Sequence, residues 1–236
     1  MFQEERLRFI LEVLEENDRV SVGNLSEKLN VSEVTIRKDL KELEEKKVIK
    51  RTHGGAIRIK KNVEELTTDS KKQLNTEKKD RIANLAGTLI EDSTTIFLDA
   101  GTTTSRLIKY LKKFKDITVI TYDLEIAFTL SKHPNIKVYI LGGYVDTKTK
   151  TALSIDGYEN LSRFHADLCF MGTDAYDEKY VYSTSENKGK IKAKMIKNSR
   201  LSVLMTDTSK YPSRGLYSFG NIEDFDYFIT EKTNKL

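Results

Sequence analysis

At 236 residues with 38% hydrophobic side chains, the chain can hold one large domain or a small one joined to a larger one. One cysteine, Cys169, excludes an internal disulfide, and with three scattered histidines it cannot build a zinc site. No run approaches the roughly 20 apolar residues of a membrane-spanning helix, and a net charge of +4 is too modest to single out nucleic acid as a partner.

The first helix is expected from residue 3 to 16, where Leu7, Ile10, Leu11 and Leu14 recur at helical spacing. Glu4 and Glu5 interrupt any apolar signal-peptide core, so a cytoplasmic protein is expected. Asn17-Asp18 ends this helix. Ser21 is placed to cap a second, carrying Val22, Leu25 and Leu29, which Asn30 closes. Ser32 opens a third, with Ile36, Leu40 and Leu43 as its buried stripe. Three short helices with a tight turn before the last make a helix-turn-helix over about residues 20–39.

Charge separates sharply here. Residues 1–33 carry 4 Lys/Arg against 8 Asp/Glu, whereas residues 34–61 carry 10 against 4. A solvated face and a Lys-rich linker can look like this, but segregation on this scale favours a basic binding face. Arg37, Lys38 and Lys41 leave the buried stripe, and Ser32 and Thr35 sit at the helix tip, an arrangement suited to a DNA major groove. After Leu43 the period changes. Val48-Ile49 and Ile57-x-Ile59 flank Arg51-Thr52-His53-Gly54-Gly55-Ala56, a β-hairpin signal that predicts a wing with Arg51 and His53 at the DNA backbone.

Arg6-x3-Ile10-x3-Leu14, then Ser32-x2-Thr35-Ile36-Arg37-Lys38-Asp39-Leu40, resembles the signature of the DeoR family of bacterial transcriptional regulators. The RTHGGA segment is similar to that family's RxHGGA wing. Lys47 departs from it, standing where a helix-ending glycine is common.

Residues 59–75 read as an exposed, partly helical linker between a winged helix-turn-helix domain (3–58) and a larger domain (76–232). Thr76 is expected to cap the next helix. Strands are predicted at 95–98, 118–121, 137–141, 168–171, 201–205 and 227–230, and helices near 103–113, 124–131, 157–164 and 188–198. Short, wholly apolar strands alternating with helices imply an α/β domain with a largely parallel sheet, whose ligands bind beyond the strands' carboxyl ends. One such end is Asp99-Ala100-Gly101-Thr102-Thr103-Thr104. A glycine turn with threonine hydroxyls at a helix start is a natural phosphate cradle, although a plain capped turn has the same composition. Lys210 could supply countercharge, and Gly142-Gly143 ends another strand.

DAGTTT, the Gly-Gly turn and Asp207-x-Ser209-Lys210 extend the resemblance to the sensor domain of DeoR-type regulators, similar in fold to ribose-5-phosphate isomerase. The resemblance implies a repressor of a carbohydrate operon. Its partners would be a double-stranded DNA operator and a phosphorylated sugar or related metabolite. It would form a homo-oligomer, dimer or tetramer, with no cofactor. Asp99, Gly101, Thr102, Thr103, Thr104, Gly142 and Lys210 are the expected effector contacts. The chain departs from the family at Tyr122, at Tyr180 and Tyr182, and at Lys188-Gly189 in place of Glu-Ala, so effector identity does not transfer. A sugar-phosphate isomerase carrying a DNA-binding module is the alternative. It requires a positioned general base, and no carboxylate or lysine has that role forced upon it, so no catalytic residue is assigned.

Overall fold

The computed structural model describes residues 2–17, 19–46, 48–58 and 63–235. Asp18, Lys47 and Ile59 fall outside them. The chain forms two compact units, 1–61 and 62–236.

In the first unit, α1 (Gln3–Asn17), β1 (Arg19–Ser21), α2 (Val22–Leu29), α3 (Glu33–Glu45), β2 (Ile49–Thr52) and β3 (Gly55–Arg58) follow in order. The Ser21 hydroxyl accepts from Asn24 N at 3.2 Å and starts α2, while Asn30 ends it in the left-handed region at φ 51°. The Ser32 hydroxyl accepts from Thr35 N at 3.2 Å and starts α3. Ile10, Leu14, Leu25, Ile36, Leu40 and Leu43 are buried together, each worth about 1.5–3 kcal/mol of apolar transfer. The three strands form an antiparallel sheet in the order β1-β3-β2. Its hairpin turns at His53-Gly54, while Gly55, expected in the turn, already pairs in β3. A Cβ on Gly55 would lie 1.8 Å from the Val20 carbonyl oxygen, so only glycine lets β3 approach β1.

The second unit begins with α4 (Thr68–Gln73) and α5 (Thr76–Ala86). Residues 63–75, expected as an exposed linker, lie on this unit: Val63 N donates to Arg214 O, and the buried Thr68 hydroxyl donates to Thr149 O. Asn75 rather than Thr76 precedes α5, at φ 52°, and its amide donates to Asp207 and Ser209 instead of capping the helix.

The chain then runs through β4 (Thr95–Leu98), α6 (Ile108–Leu111), β5 (Ile117–Thr121), α7 (Leu124–Leu130), β6 (Ile136–Ile140), β7 (Tyr144–Asp146), β8 (Thr151–Leu153) and α8 (Ile155–Leu161). It continues with β9 (Ala166–Met171), β10 (Ala175–Tyr176), β11 (Tyr180–Ser183), α9 (Glu186–Lys197), β12 (Ser199–Met205), β13 (Tyr217–Asn221) and β14 (Tyr227–Ile229). All six predicted strands form one parallel sheet, ordered β14-β12-β9-β4-β5-β6. Alternation explains their uniform apolarity. Ile96, Leu98, Leu168 and Phe170 enter one core, and Phe97, Cys169 and Met171 the other. From β4 the chain winds one way through β5 and β6 and the other way through β9, β12 and β14. The switch therefore falls between β4 and β9, where a crevice opens beyond the strand ends. The pair β7–β8 and the antiparallel sheet β10-β11-β13 form separately from the parallel sheet.

Candidate ligand pocket and nucleic-acid interface

A pocket opens at this switch point. Its floor is the loop after β4, with Gly101, Thr102, Thr103 and Thr104, and the loop after β9, with Gly172, Thr173 and Asp174. The helix expected after the threonines is only a 3-10 turn, Thr104–Leu107, followed by the single turn α6. Too few peptide dipoles are aligned there for an anion site built on a helix end. Thr104 also spends its hydroxyl on the carbonyls of Asp99 (2.8 Å) and Gly101 (3.0 Å), which fixes the loop.

The cationic character comes instead from four lysines, Lys71, Lys188, Lys192 and Lys210, against two lining carboxylates, Glu65 and Asp174. Lys71 pairs with Asp174 at 2.8 Å. Burial works to raise the Asp174 pKa, but Lys71 and Lys192 more than reverse it, so the carboxylate stays charged. Lys188 donates to Glu65 and to Thr149, each at 2.7 Å, and lies 3.3 Å from Asp146. Lys192 pairs with Asp99 and donates to Gly172 O at 3.0 Å. Lys210 differs: its ammonium donates to a carbonyl, Thr173 O, at 2.6 Å. Burial lowers its pKa, opposed by the charges of Asp207 and Asp174. It is the pocket cation with the weakest local neutralisation. Beneath it, the buried Lys79 donates to Lys71 O, and burial together with the charge of Lys210 lowers its pKa to about 8.

The structure gathers Gly101, Thr102, Thr103, Thr104 and Lys210 around this pocket, but not two other expected contacts. Asp99 is fully buried behind it and accepts from Tyr122 Oη (2.5 Å), Gly172 N (2.9 Å) and Lys192. Gly142 lies outside the lining, in the turn into β7, because Gly142-Gly143 serve the close return of β8. A Cβ on Gly143 would meet Leu153 O at 2.3 Å. Tyr122 does line the pocket; Tyr180 and Tyr182 do not, and Tyr182 is held by Asp177 at 2.7 Å. Sequence reasoning missed Lys71 and Lys192, and raised Lys188 only as a departure from the family pattern, not as a contact. Lys188, Lys192 and Met195 share one stripe of α9, so a pair of cations within an apolar face was the available signal.

In the first unit, Arg37, Lys38 and Lys41 are exposed along one side of α3, with Arg37 paired to Glu33 at 2.8 Å. Ser32 is exposed and Thr35 half-buried, their hydroxyls 2.9 Å apart in the cap. Arg51 and His53 are exposed on the wing, where Arg51 N donates to Glu44 at 2.9 Å. Asp39 faces inward and is buried against Arg6 of α1.

Residues 6–62 match the model of the DeoR-like helix-turn-helix domain, and residues 74–232 match that of the DeoR C terminal sensor domain. The chain belongs to the DeoR family. It is therefore a DNA-binding transcriptional regulator built as a winged helix-turn-helix followed by a parallel α/β domain. Among its DeoR-family relatives, the regulator GolR of Listeria innocua is 36% identical over 237 residues, covering 100% of this chain and 93% of that protein. The repressor GlcR of Bacillus subtilis is 33% identical over 232 residues, covering 98% and 90%. Among solved structures, ribose 5-phosphate isomerase A of Methanocaldococcus jannaschii aligns with TM-score 0.43 at 18% identity, over 58% of this chain and 54% of that one. Among the described residues, no helix is long and apolar enough to cross a membrane, and no cluster of His, Cys, Asp and Glu is arranged for a metal.

Proposed function

We propose that this DeoR-family chain represses carbohydrate genes and that a phosphorylated sugar in the switch-point pocket controls its binding to DNA. The observation that carries the reading is Lys210, a half-buried cation whose ammonium, among the described residues, is hydrogen-bonded to a carbonyl, and which lines the pocket together with Thr102 and Thr103. A phosphate there gains charge-assisted contacts that water supplies poorly. Repression agrees with the printed names of two relatives, GlcR and a putative aga operon repressor of Escherichia coli O157:H7, 28% identical.

On the DNA side, Arg37, Lys38, Ser32 and Thr35 read the groove, and Lys41, Arg51 and His53 contact the backbone. A two-fold operator needs two such units, so the regulator works as a homodimer or tetramer. DNA and phosphorylated metabolites as partners fit a cytoplasmic site of action. The protein binds its effector without turning it over: Asp99 is committed to three donors behind the pocket, and Asp174 is ion-paired with Lys71, so neither is a free base.

A thermal-shift screen against sugar phosphates and their unphosphorylated parents tests this. A phosphorylated member should raise the melting temperature where its parent does not. A response to parents alone would overturn the reading, as would steady turnover of ribose 5-phosphate.

A further inference from the structure

Lys188 sits in the pocket with 6% of its side chain exposed and three partners. Two of them are fixed. Asp146 also accepts from the Thr149 hydroxyl (2.7 Å) and from Lys148 N (3.0 Å), and Thr149 is itself buried. The third, Glu65, comes from the extended stretch ahead of α4, which backbone hydrogen bonds anchor at Val63 and Thr68. Its carboxylate reaches Lys188 by a single contact of 2.7 Å from the pocket lining. Among these partners Glu65 is the one that can leave.

We propose that Lys188 is a second anion subsite, filled here by Glu65, and that the effector carries a second acidic group which takes Glu65's place. The inference rests on the pocket being the effector site. Two anchors then divide one ligand. The phosphate lies at Lys210 and the threonine loop, and a carboxylate or second phosphate lies at Lys188. The chemistry is selective because a buried ammonium does not give up a carboxylate for a neutral group. A hydroxyl or aldehyde in place of Glu65 would leave the charge under-compensated, whereas another anion makes the exchange nearly even. Glu65, whose side chain is already 19% exposed, turns to water once displaced.

The test is calorimetric titration of the full chain with matched pairs from three to six carbons. The pairs are glycerol 3-phosphate against 3-phosphoglycerate, erythrose 4-phosphate against 4-phosphoerythronate, and glucose 6-phosphate against 6-phosphogluconate. Fructose 6-phosphate against fructose 1,6-bisphosphate adds a second phosphate. In the best-binding pair the acidic member should bind about tenfold or more tightly than its partner. Lys188→Met should reduce that ratio to about threefold or less, Lys188→Arg should keep it, and Glu65→Gln should enlarge it by removing the competitor. Equal binding within every pair, or a ratio unchanged in a folded Lys188→Met variant, overturns the second subsite alone. Failure of every phosphate ester to bind overturns the pocket reading and this inference with it.

Discussion

Arg6 of α1 closes on Asp39 of α3 through Nε–Oδ2 at 2.7 Å and Nη2–Oδ1 at 3.1 Å, with Asp39 almost wholly buried. Two residues 33 positions apart thus clamp α3 to α1, in a bidentate geometry that lysine could not reproduce. Removing Arg6 leaves the buried Asp39 carboxylate with a long contact from Gln3 Nε2 at 3.5 Å. Arg6→Ala should therefore destabilise the first unit by about 3–5 kcal/mol, while an apolar double replacement should cost much less. Urea titration followed by helical circular dichroism checks this; an Arg6→Ala variant with an unchanged midpoint would assign the pair no structural role.

The exposed side of α3 gives a separate prediction. Arg37→Ala should weaken binding to a selected DNA site by about 1–3 kcal/mol and leave the melting curve in place. Arg51→Ala should reduce affinity for all sequences and lower the salt slope by about 1. Fluorescence anisotropy at several salt concentrations reads both effects. Equal losses on specific and random DNA for Arg37→Ala would move it to the backbone.

Asp123 supplies a pH test of the second unit. Its Oδ1 accepts from Glu125 N and Ile126 N, each at 2.9 Å, and caps α7. Burial raises its pKa to about 6, the two N–H donors pull the other way, and the charges of Glu125 and Asp99 add to the rise. A carboxyl raised in the folded state contributes stability that is complete below its unfolded value near 4 and is lost as pH climbs through about 6. Asp123→Asn keeps the acceptor and removes the buried charge. It should raise the melting temperature by a few degrees at pH 7.5, from about 1–3 kcal/mol, and give no gain at pH 4. Equal shifts at both pH values would contradict the assignment.

The buried tyrosine at the sheet end is testable by a one-atom change. Tyr122 Oη donates to Asp99 at 2.5 Å, and burial followed by the nearby Asp99 charge raises its pKa well above the ordinary value, keeping it a donor. Tyr122→Phe leaves Asp99 one donor short at no cost in shape, so a loss of about 1–3 kcal/mol is expected in thermal unfolding. No change would mean water replaces the hydroxyl.

The six parallel strands were legible because a strand buried on both faces must be apolar at every position, as Ile96-Phe97-Leu98 is. The capped helices around Ser21 and Ser32 were equally legible, since capping is a local reaction of side chain with backbone. The short antiparallel strands β7, β8, β10, β11 and β13 were not. They run two to five residues, and Tyr180-Val181-Tyr182-Ser183 carries no alternation that sets it apart from a loop. The pocket was half legible. DAGTTT announced itself by composition, but Lys71 came from a segment that looked like a linker, and nothing in the sequence around Lys188 and Lys192, beyond their shared stripe, set these two apart from other helical lysines. Their burial depends on partners 20 to 123 residues away, which no local pattern records.

Control of DNA binding by a ligand at Lys210 is the central claim, and one titration addresses it. DNA selected from a random pool by the intact regulator is bound in anisotropy assays with and without the phosphorylated sugar that most raises the melting temperature. The sugar should change the DNA affinity of the wild-type protein by about tenfold or more, within the usual range of coupling free energies. Lys210→Met should retain ligand-free DNA affinity and lose that change. Either an unchanged DNA affinity in the wild type or a full response in Lys210→Met would contradict the account.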